Sequence, residues 1–361
     1  MNHKPEVSSG TPASLGFSMP AEWEKHEATW IGWPHNRTDW PGKIAPIYWV
    51  YGEIVRKIAV GEIVRIIVES ATHEAQAKRI LFRVGADLSQ IEFFRIPSNR
   101  GWTRDFGPFF VKKDAKQSEV AITKFRFNAW AKYPDWNLDN EIARKAAKAL
   151  GLHIFRAEAN GRDVVLEGGS IDINGRGTLM TTEECLLDKE TQARNPYLSQ
   201  SQFEEALRQY LGVTNILWLG KGIAGDDTHG HIDDICRFVN ANTVVLCQES
   251  DKNDYNYAPL MENRERLQSM RLEDRGKIEV IELPMPAPLY HNGQRLPASY
   301  ANFYICNAAV LVPTFNDPND RIALGVLAEI FKDRLVVGIH AVDLVWGLGT
   351  LHCLTQQQPA G

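Results

Sequence analysis

His231-Ile-Asp-Asp-Ile-Cys-Arg-Phe-Val-Asn-Ala-Asn-Thr-Val-Val-Leu246 reads as an apolar strand, an Asn-Ala-Asn turn and a second apolar strand. The shape recurs along the chain. Trp102-Thr-Arg-Asp-Phe-Gly-Pro-Phe-Phe-Val111 is a turn feeding an apolar strand. Glu167-Gly-Gly-Ser-Ile-Asp-Ile-Asn-Gly-Arg-Gly-Thr-Leu-Met180 is strand, glycine turn, strand, and Tyr300-Ala-Asn-Phe-Tyr-Ile-Cys-Asn-Ala-Ala-Val-Leu-Val312 repeats it. A last copy would surround Cys353. The period is roughly 50 to 70 residues, longer than common solenoid and propeller repeats. Five such units suggest ββαβ modules in a ring, whose central channel lets residues from different units converge. A plain doubly wound α/β sheet is the competing arrangement.

Between these shapes the pattern alternates. Short β-rich runs lie at Val64–Val68, Val120–Phe127, Asn215–Leu219, Thr243–Cys247 and Ile278–Leu283. Helical periodicity spans Asn137–Leu150, stopped by Gly151. A second helix follows the capping-box spacing Ser201-Gln-Phe-Glu204 and ends at Gly212. A third covers Arg321–Phe331, with Asp320 as N-cap.

The 361 residues carry a net charge of −5, and 44% of them are hydrophobic, enough for a large core and unlike a nucleic-acid-binding chain. The five cysteines, Cys185, Cys236, Cys247, Cys306 and Cys353, are widely spaced and contain no C-x-x-C pair. That argues against a disulfide framework or a zinc site and for a reducing compartment. Residues 1–18 are polar and read as a disordered lead, with residues 19–361 as one domain; no signal peptide or spanning helix is visible.

Cys353 stands in Gly347-Leu-Gly-Thr-Leu-His-Cys-Leu-Thr-Gln-Gln-Gln-Pro359, after the apolar run Leu335–Val345 that would anchor it. It is either a nucleophile or a buried structural thiol. Three polar constellations accompany it. Asp105 precedes Gly107-Pro108, where turn capping is the plain explanation. Gly225-Asp-Asp-Thr-His-Gly-His-Ile-Asp-Asp234 is either a solvated acidic loop or a ligand cluster of His229, His231 and Asp233. If residues 231–233 form a strand, His231 and Asp233 share one face. The glycines after Glu167 permit close backbone approach. No phosphate-binding loop is present. Carboxylates beside a thiolate raise its pKa, which hinders catalysis unless the substrate is itself a cation. A guanidinium meets that condition, since two carboxylates can hold its plane by charge-assisted bonds.

With Met19-Pro-Ala-Glu-Trp-Glu-Lys-His-Glu-Ala-Thr-Trp-Ile-Gly-Trp-Pro34, Trp102-Thr-Arg-Asp-Phe-Gly-Pro108, Glu167-Gly-Gly-Ser170, Asp227-Thr-His-Gly-His-Ile-Asp233 and His352-Cys-Leu-Thr-Gln-Gln-Gln-Pro359, the chain resembles the agmatine deiminases and bacterial-type peptidylarginine deiminases. The resemblance implies the pentein fold, a five-bladed α/β propeller of ββαβ modules around a central channel, with no metal and no cofactor. It implies Cys353 as nucleophile, His231 as proton-transfer residue, and Asp105 and Asp233 on the guanidinium. Trp102 would line the channel and Asp227 would meet a distal amine; Asp226, Glu167 and Gly347 complete the expected substrate site. Arg37-Thr-Asp-Trp-Pro-Gly-Lys43 and Gly347-Leu-Gly-Thr350 depart from the family forms Asp-Asn-Trp-Arg and three consecutive glycines. The implied activity is hydrolytic deimination of agmatine in the cytoplasm, on a small cationic guanidine, without nucleic acid or membrane partners and with room for a homo-oligomer. A peptidylarginine or free-arginine deiminase, a metal hydrolase and a non-catalytic binding factor are the alternatives. His229 is expected as a loop residue, and Cys185, Cys236, Cys247 and Cys306 as packing residues.

Overall fold

A computed structural model describes residues 10–113 and 118–361. Within them an antiparallel strand pair, extended by a helix and a parallel strand, occurs five times. In the first, Phe109–Lys113 pairs antiparallel with Glu119–Lys124, and Ile154–Arg156 joins in parallel after helix Ile142–Leu150. In the second, Asp172–Ile173 pairs with Thr178–Thr182, and Asn215–Leu219 follows helix Gln200–Leu211. In the third, Cys236–Phe238 pairs with Thr243–Gln248, and Glu279–Pro284 follows helix Tyr257–Ser269. In the fourth, Tyr304–Ile305 pairs with Ala309–Thr314, and Leu335–His340 follows helix Pro318–Ile330.

The fifth unit joins the two ends of the described chain. Thr355–Pro359 pairs antiparallel with His26–Gly32, placing Gln356 opposite Trp30. Ile63–Val68 then joins in parallel after helix Ile44–Ile58, and Ile91–Arg95 after helix Ala71–Arg83. The sheets are separate, with three or four strands each, so a single doubly wound sheet is not what forms.

Local chemistry explains the element ends, with some shifts from the sequence reading. Helix Gln200–Leu211 is capped by Ser199 with Gln202 in a reciprocal box, two residues before the expected cap. Gly212 closes it in the left-handed conformation, φ 70°. Helix Pro318–Ile330 starts at Asp317; Asp320 is the box partner inside the first turn, not the cap. The strand from Glu119 stops at Lys124, and Arg126 makes only an isolated bridge to Val165. Residues 1–9 of the expected lead lie outside the described residues. Residues 10–18 are built in: Ala13–Leu15 forms a 3-10 turn, Phe17 is buried against Phe155, and Ser18 bridges Lys112. Among the described residues no helix is long and apolar enough to cross a membrane.

Where the units face one another, the interior is ionic. Glu22 forms an ion pair with Arg237 at 3.0 Å and accepts from Arg104 at 3.1 Å, His352 at 2.8 Å and the Ile305 backbone N–H at 2.8 Å. Arg237 also approaches Asp172 at 3.5 Å. Burial alone would raise the Glu22 carboxyl, but Arg237, His352 and Arg104 outweigh it and hold the group well below the usual carboxylate range. Removing one partner of a buried ionic set strands the others. Glu22→Ala is expected to cost about 3–5 kcal/mol, read from urea unfolding; a loss below about 1 kcal/mol, the scale of an exposed ion pair, would contradict the role given to this network.

Candidate active site

Cys353 lies in the single helical turn Leu351–Leu354, directly before the strand that docks on His26–Gly32. Its side chain is buried, and its Sγ is 3.1 Å from Asn302 Nδ2 and 3.7 Å from Asp233 Oδ2. Gly347, the last residue of the 3-10 turn Leu344–Gly347, has no room for a side chain: a Cβ there would lie 2.7 Å from Trp102 Cζ2 and 2.8 Å from Trp40 Cε2.

Asp105, from the turn Thr103–Phe106, and His231 and Asp233, from one segment far along the chain, meet beside that thiol. His231 is fully buried. Its Nδ1 is 3.9 Å from Asp105 Oδ1 and 3.9 Å from Asp233 Oδ1, and its Nε2 is 3.7 Å from Glu167 Oε2. Among the described residues neither ring nitrogen has a hydrogen-bond partner, nor has Asp233 Oδ1. The groups are therefore held apart. Gly169 explains the gap: a Cβ there would lie 2.6 Å from His231 Nδ1, 2.9 Å from Asp105 Oδ1 and 3.0 Å from Asp233 Oδ2. Its N–H donates to Asp105 Oδ1 at 3.0 Å, while Trp130 Nε1 donates to Asp105 Oδ2 at 2.8 Å. Asp105 thus serves long-range partners, not the local turn. Residues 232–234 form a 3-10 turn and not the expected strand, because His229 and Gly230 both take positive φ just before it. His231 and Asp233 reach one site through that turn.

The electrostatics fit a site awaiting a cation. Burial pushes Asp105 up to about 6, aided by Asp233 and Glu167 and opposed by His231. Asp233 stays below its ordinary value; burial raises it, but its bond from His352 Nδ1 at 2.7 Å and the nearby charges prevail. Burial opposes protonation of His231, yet Asp105, Cys185 and Glu167 carry it well above its usual range. Burial and the carboxylates of Asp233, Asp234 and Asp105 drive the Cys353 thiol far up, against a small opposing effect of Asn302.

A cavity of roughly 170 Å³ opens onto Cys353 and Asp105. Trp102, Gly347 and Asp227 line it as expected, joined by Trp130, Tyr133 and Asp39. Asp226 does not line it. Its oxygens accept from Thr228, from the Gly230 N–H at 2.7 Å and from the His231 N–H at 3.0 Å, so it shapes the loop that presents His231. Glu167 faces His231 and not the cavity; Arg194 Nε holds it at 3.2 Å. His229 turns to Asp188 at 2.9 Å, so the ligand set of His229, His231 and Asp233 does not assemble. Glu167, Cys185 and His231 do lie with their ligand atoms within 4.8 Å of one another. Arg194 already supplies the cation for that group.

Sequence reasoning missed several residues here. His352 stood beside Cys353 with no role, yet it links Asp233 to Glu22. Asn302 touches the thiol, and Trp130 fixes Asp105. Of the cysteines read as packing residues, Cys236, Cys247 and Cys306 are buried thiols raised by burial. Cys185 is buried too but sits against His231.

A sequence profile described as Porphyromonas-type peptidyl-arginine deiminase matches residues 18–359. The chain belongs to this family. Among family relatives, an agmatine deiminase of Pseudomonas aeruginosa (strain LESB58) is 36% identical over 97% of both chains. One of Medicago truncatula is 37% identical, covering 97% of this chain and 98% of its own. The structure of an Enterococcus faecalis agmatine deiminase superposes with a TM-score of 0.89 at 31% identity over 99% of each chain. A C. jejuni agmatine deiminase with substrate bound gives 0.83 at 32% identity, over 96% of this chain and 97% of that one. The mixed α/β fold is the one these agmatine deiminase structures share.

Proposed function

We propose that this chain hydrolyses agmatine to N-carbamoylputrescine and ammonia through a covalent intermediate on Cys353. The observation that carries this is the meeting of Asp105, Asp233, His231 and Cys353 around the space left by Gly169. The guanidinium sits between Asp105 and Asp233, and its charge offsets the carboxylates that hold Cys353 in the thiol form. Binding of the cation releases the thiol proton to solvent, and the thiolate attacks the central carbon. His231, protonated at rest, gives its proton to the departing nitrogen, and ammonia leaves an S-alkylthiouronium. Water then adds to that carbon with His231 as base, and the C–S bond breaks to give the ureido product and the free thiol. No metal or cofactor enters the scheme.

The five sheets are read as blades of one pentein propeller around a central channel, forming a single catalytic domain. Support comes from the ionic interior, where Glu22, Arg104, Asp172, Arg237 and His352 arrive from different units. A cytoplasmic setting suits five cysteines that are all unpaired thiols. The presence together of Cys353, His231, Asp105 and Asp233 disfavours a non-catalytic binding factor, and the tail of the substrate separates agmatine from arginine or a peptide.

Two measurements test the reading. Agmatine, arginine and an arginine peptide are offered with a chelator present, and ammonia and ureido product are followed. Turnover of agmatine, lost in Cys353→Ala, is expected; chelator-sensitive activity that survives Cys353→Ala would sink the mechanism. The pH profile is the second. Because burial raises Asp105 to about 6, its carboxylate takes up a proton as pH falls through that value. KM for agmatine should therefore rise on acidification, by roughly tenfold per pH unit well below 6. A KM that stays flat from pH 7 to 5 would count against Asp105 as a guanidinium ligand.

A further inference from the structure

Asp227 lines the cavity, yet both its oxygens are already engaged. Lys132 Nζ reaches Oδ1 at 2.5 Å, and Tyr133 donates its hydroxyl to Oδ2 at 2.7 Å. The loop that supplies them runs through Ala129, Trp130 and Ala131, three successive non-glycine residues with φ between 49° and 58°. It also carries the Trp130 indole that fixes Asp105. The ammonium of Lys132 thus already pairs with Asp227.

Asp39 lines the same cavity and is spent only on one side. Arg100 bonds its Oδ1, and that guanidinium is shared with Asp135 at 3.2 Å. Among the described residues Asp39 Oδ2 is buried with no donor in hydrogen-bond geometry, and the nearby Trp102 indole only partly offsets the effect of burial on the carboxyl. The residue is 7% exposed. Asp39 and Cys353 line one cavity, and burial together with the charges of both raises the Tyr51 hydroxyl. A carboxylate oxygen removed from water with nothing to accept from carries a cost that an incoming donor removes.

We propose that Asp39, and not Asp227, receives the distal ammonium of agmatine and is the residue that selects it over arginine. This rests on the deiminase reading above. An ammonium beside Asp39 Oδ2 completes that group's hydrogen bonding. The α-carboxylate of arginine brought to the same place would face an oxygen of like charge, with Arg100 already divided between two acids.

The experiment compares agmatine with butylguanidine, which has the guanidinium but no amine, on the wild type, Asp39→Asn and Asp227→Asn. The readout is the ratio of the two kcat/KM values, in which any general loss of folding or chemistry cancels. Asp39→Asn should lower the ratio by about 10- to 100-fold, the effect of one charge-assisted hydrogen bond. Asp227→Asn should change it less. An unchanged ratio in Asp39→Asn, or a larger fall in Asp227→Asn, overturns the inference. A wild type that turns over neither guanidine overturns the deiminase reading, and the inference with it.

A second readout needs no variant. Burial raises Asp39 to about 6, against the pull of Arg100 and His35, so the wild-type ratio should fall as pH drops from 7 to 5. The other titratable groups facing Asp39 are Tyr51, Tyr133 and Asp139. Protonation of Asp105 affects both substrates alike and leaves the ratio unmoved. A ratio constant over that range also overturns the assignment.

Discussion

Gly169→Ala is expected to lose agmatine turnover by on the order of 10²- to 10³-fold while leaving the protein folded. The added Cβ would press on His231 Nδ1, Asp105 Oδ1 and Asp233 Oδ2 at once, at 2.6, 2.9 and 3.0 Å. All three groups are buried, so none can swing into solvent to make room. The methyl occupies the space between the two carboxylates that the guanidinium would use. Gly169 does not have positive φ, so alanine is tolerated by the backbone itself. The stability cost is that of overpacking, about 1–3 kcal/mol. Steady-state kinetics paired with thermal unfolding checks both halves. A folded Gly169→Ala protein with near-normal kcat/KM would show that the slot lies elsewhere.

Chloroacetamidine, an amidinium cation, is expected to alkylate Cys353 far faster than neutral chloroacetamide. Burial, Asp233, Asp234 and Asp105 all raise the Cys353 thiol, so a neutral reagent meets mostly protonated sulfur. The cation brings its own compensation. Held between Asp105 and Asp233, it weakens the field that keeps the proton on sulfur. Two charge-assisted bonds at about 1.5–3 kcal/mol each put the preference at 100-fold or more. Each rate is divided by that for a small free thiol, which removes the reagents' intrinsic difference. Asp105→Asn should shrink the preference. Equal normalised rates for the two reagents would mean that Cys353 is not activated by a bound cation.

The chemical centre was legible because its logic is local in charge, if not in space. A thiol, an imidazole and two carboxylates make sense together only around a cation, and Cys353, His231, Asp105 and Asp233 do lie together. The repeat likewise shows in strands that pair as the turns suggested, from Thr243–Gln248 to Ala309–Thr314. What stayed hidden depends on partners far along the chain. Nothing in Asp226-Asp227 says that the first acid is spent on its own loop and the second is met by Lys132, 95 positions away. Asp105 looked like turn chemistry because its true partners, Gly169 and Trp130, are remote. The period-2 reading of His231–Asp233 failed because His229 and Gly230 reverse the backbone first. Helix caps slipped by two or three residues because Ser199 and Asp317 offered equally good oxygens just upstream.

The central claim is a covalent bond from Cys353 to the guanidinium carbon, and mass spectrometry of acid-quenched turnover tests it most directly. During steady turnover of agmatine, a fraction of the protein should carry the mass of agmatine less ammonia. Peptide mapping should place that mass on Cys353, and it should vanish when substrate is exhausted. Sustained turnover with only unmodified protein, or an adduct on any other residue, would contradict the account.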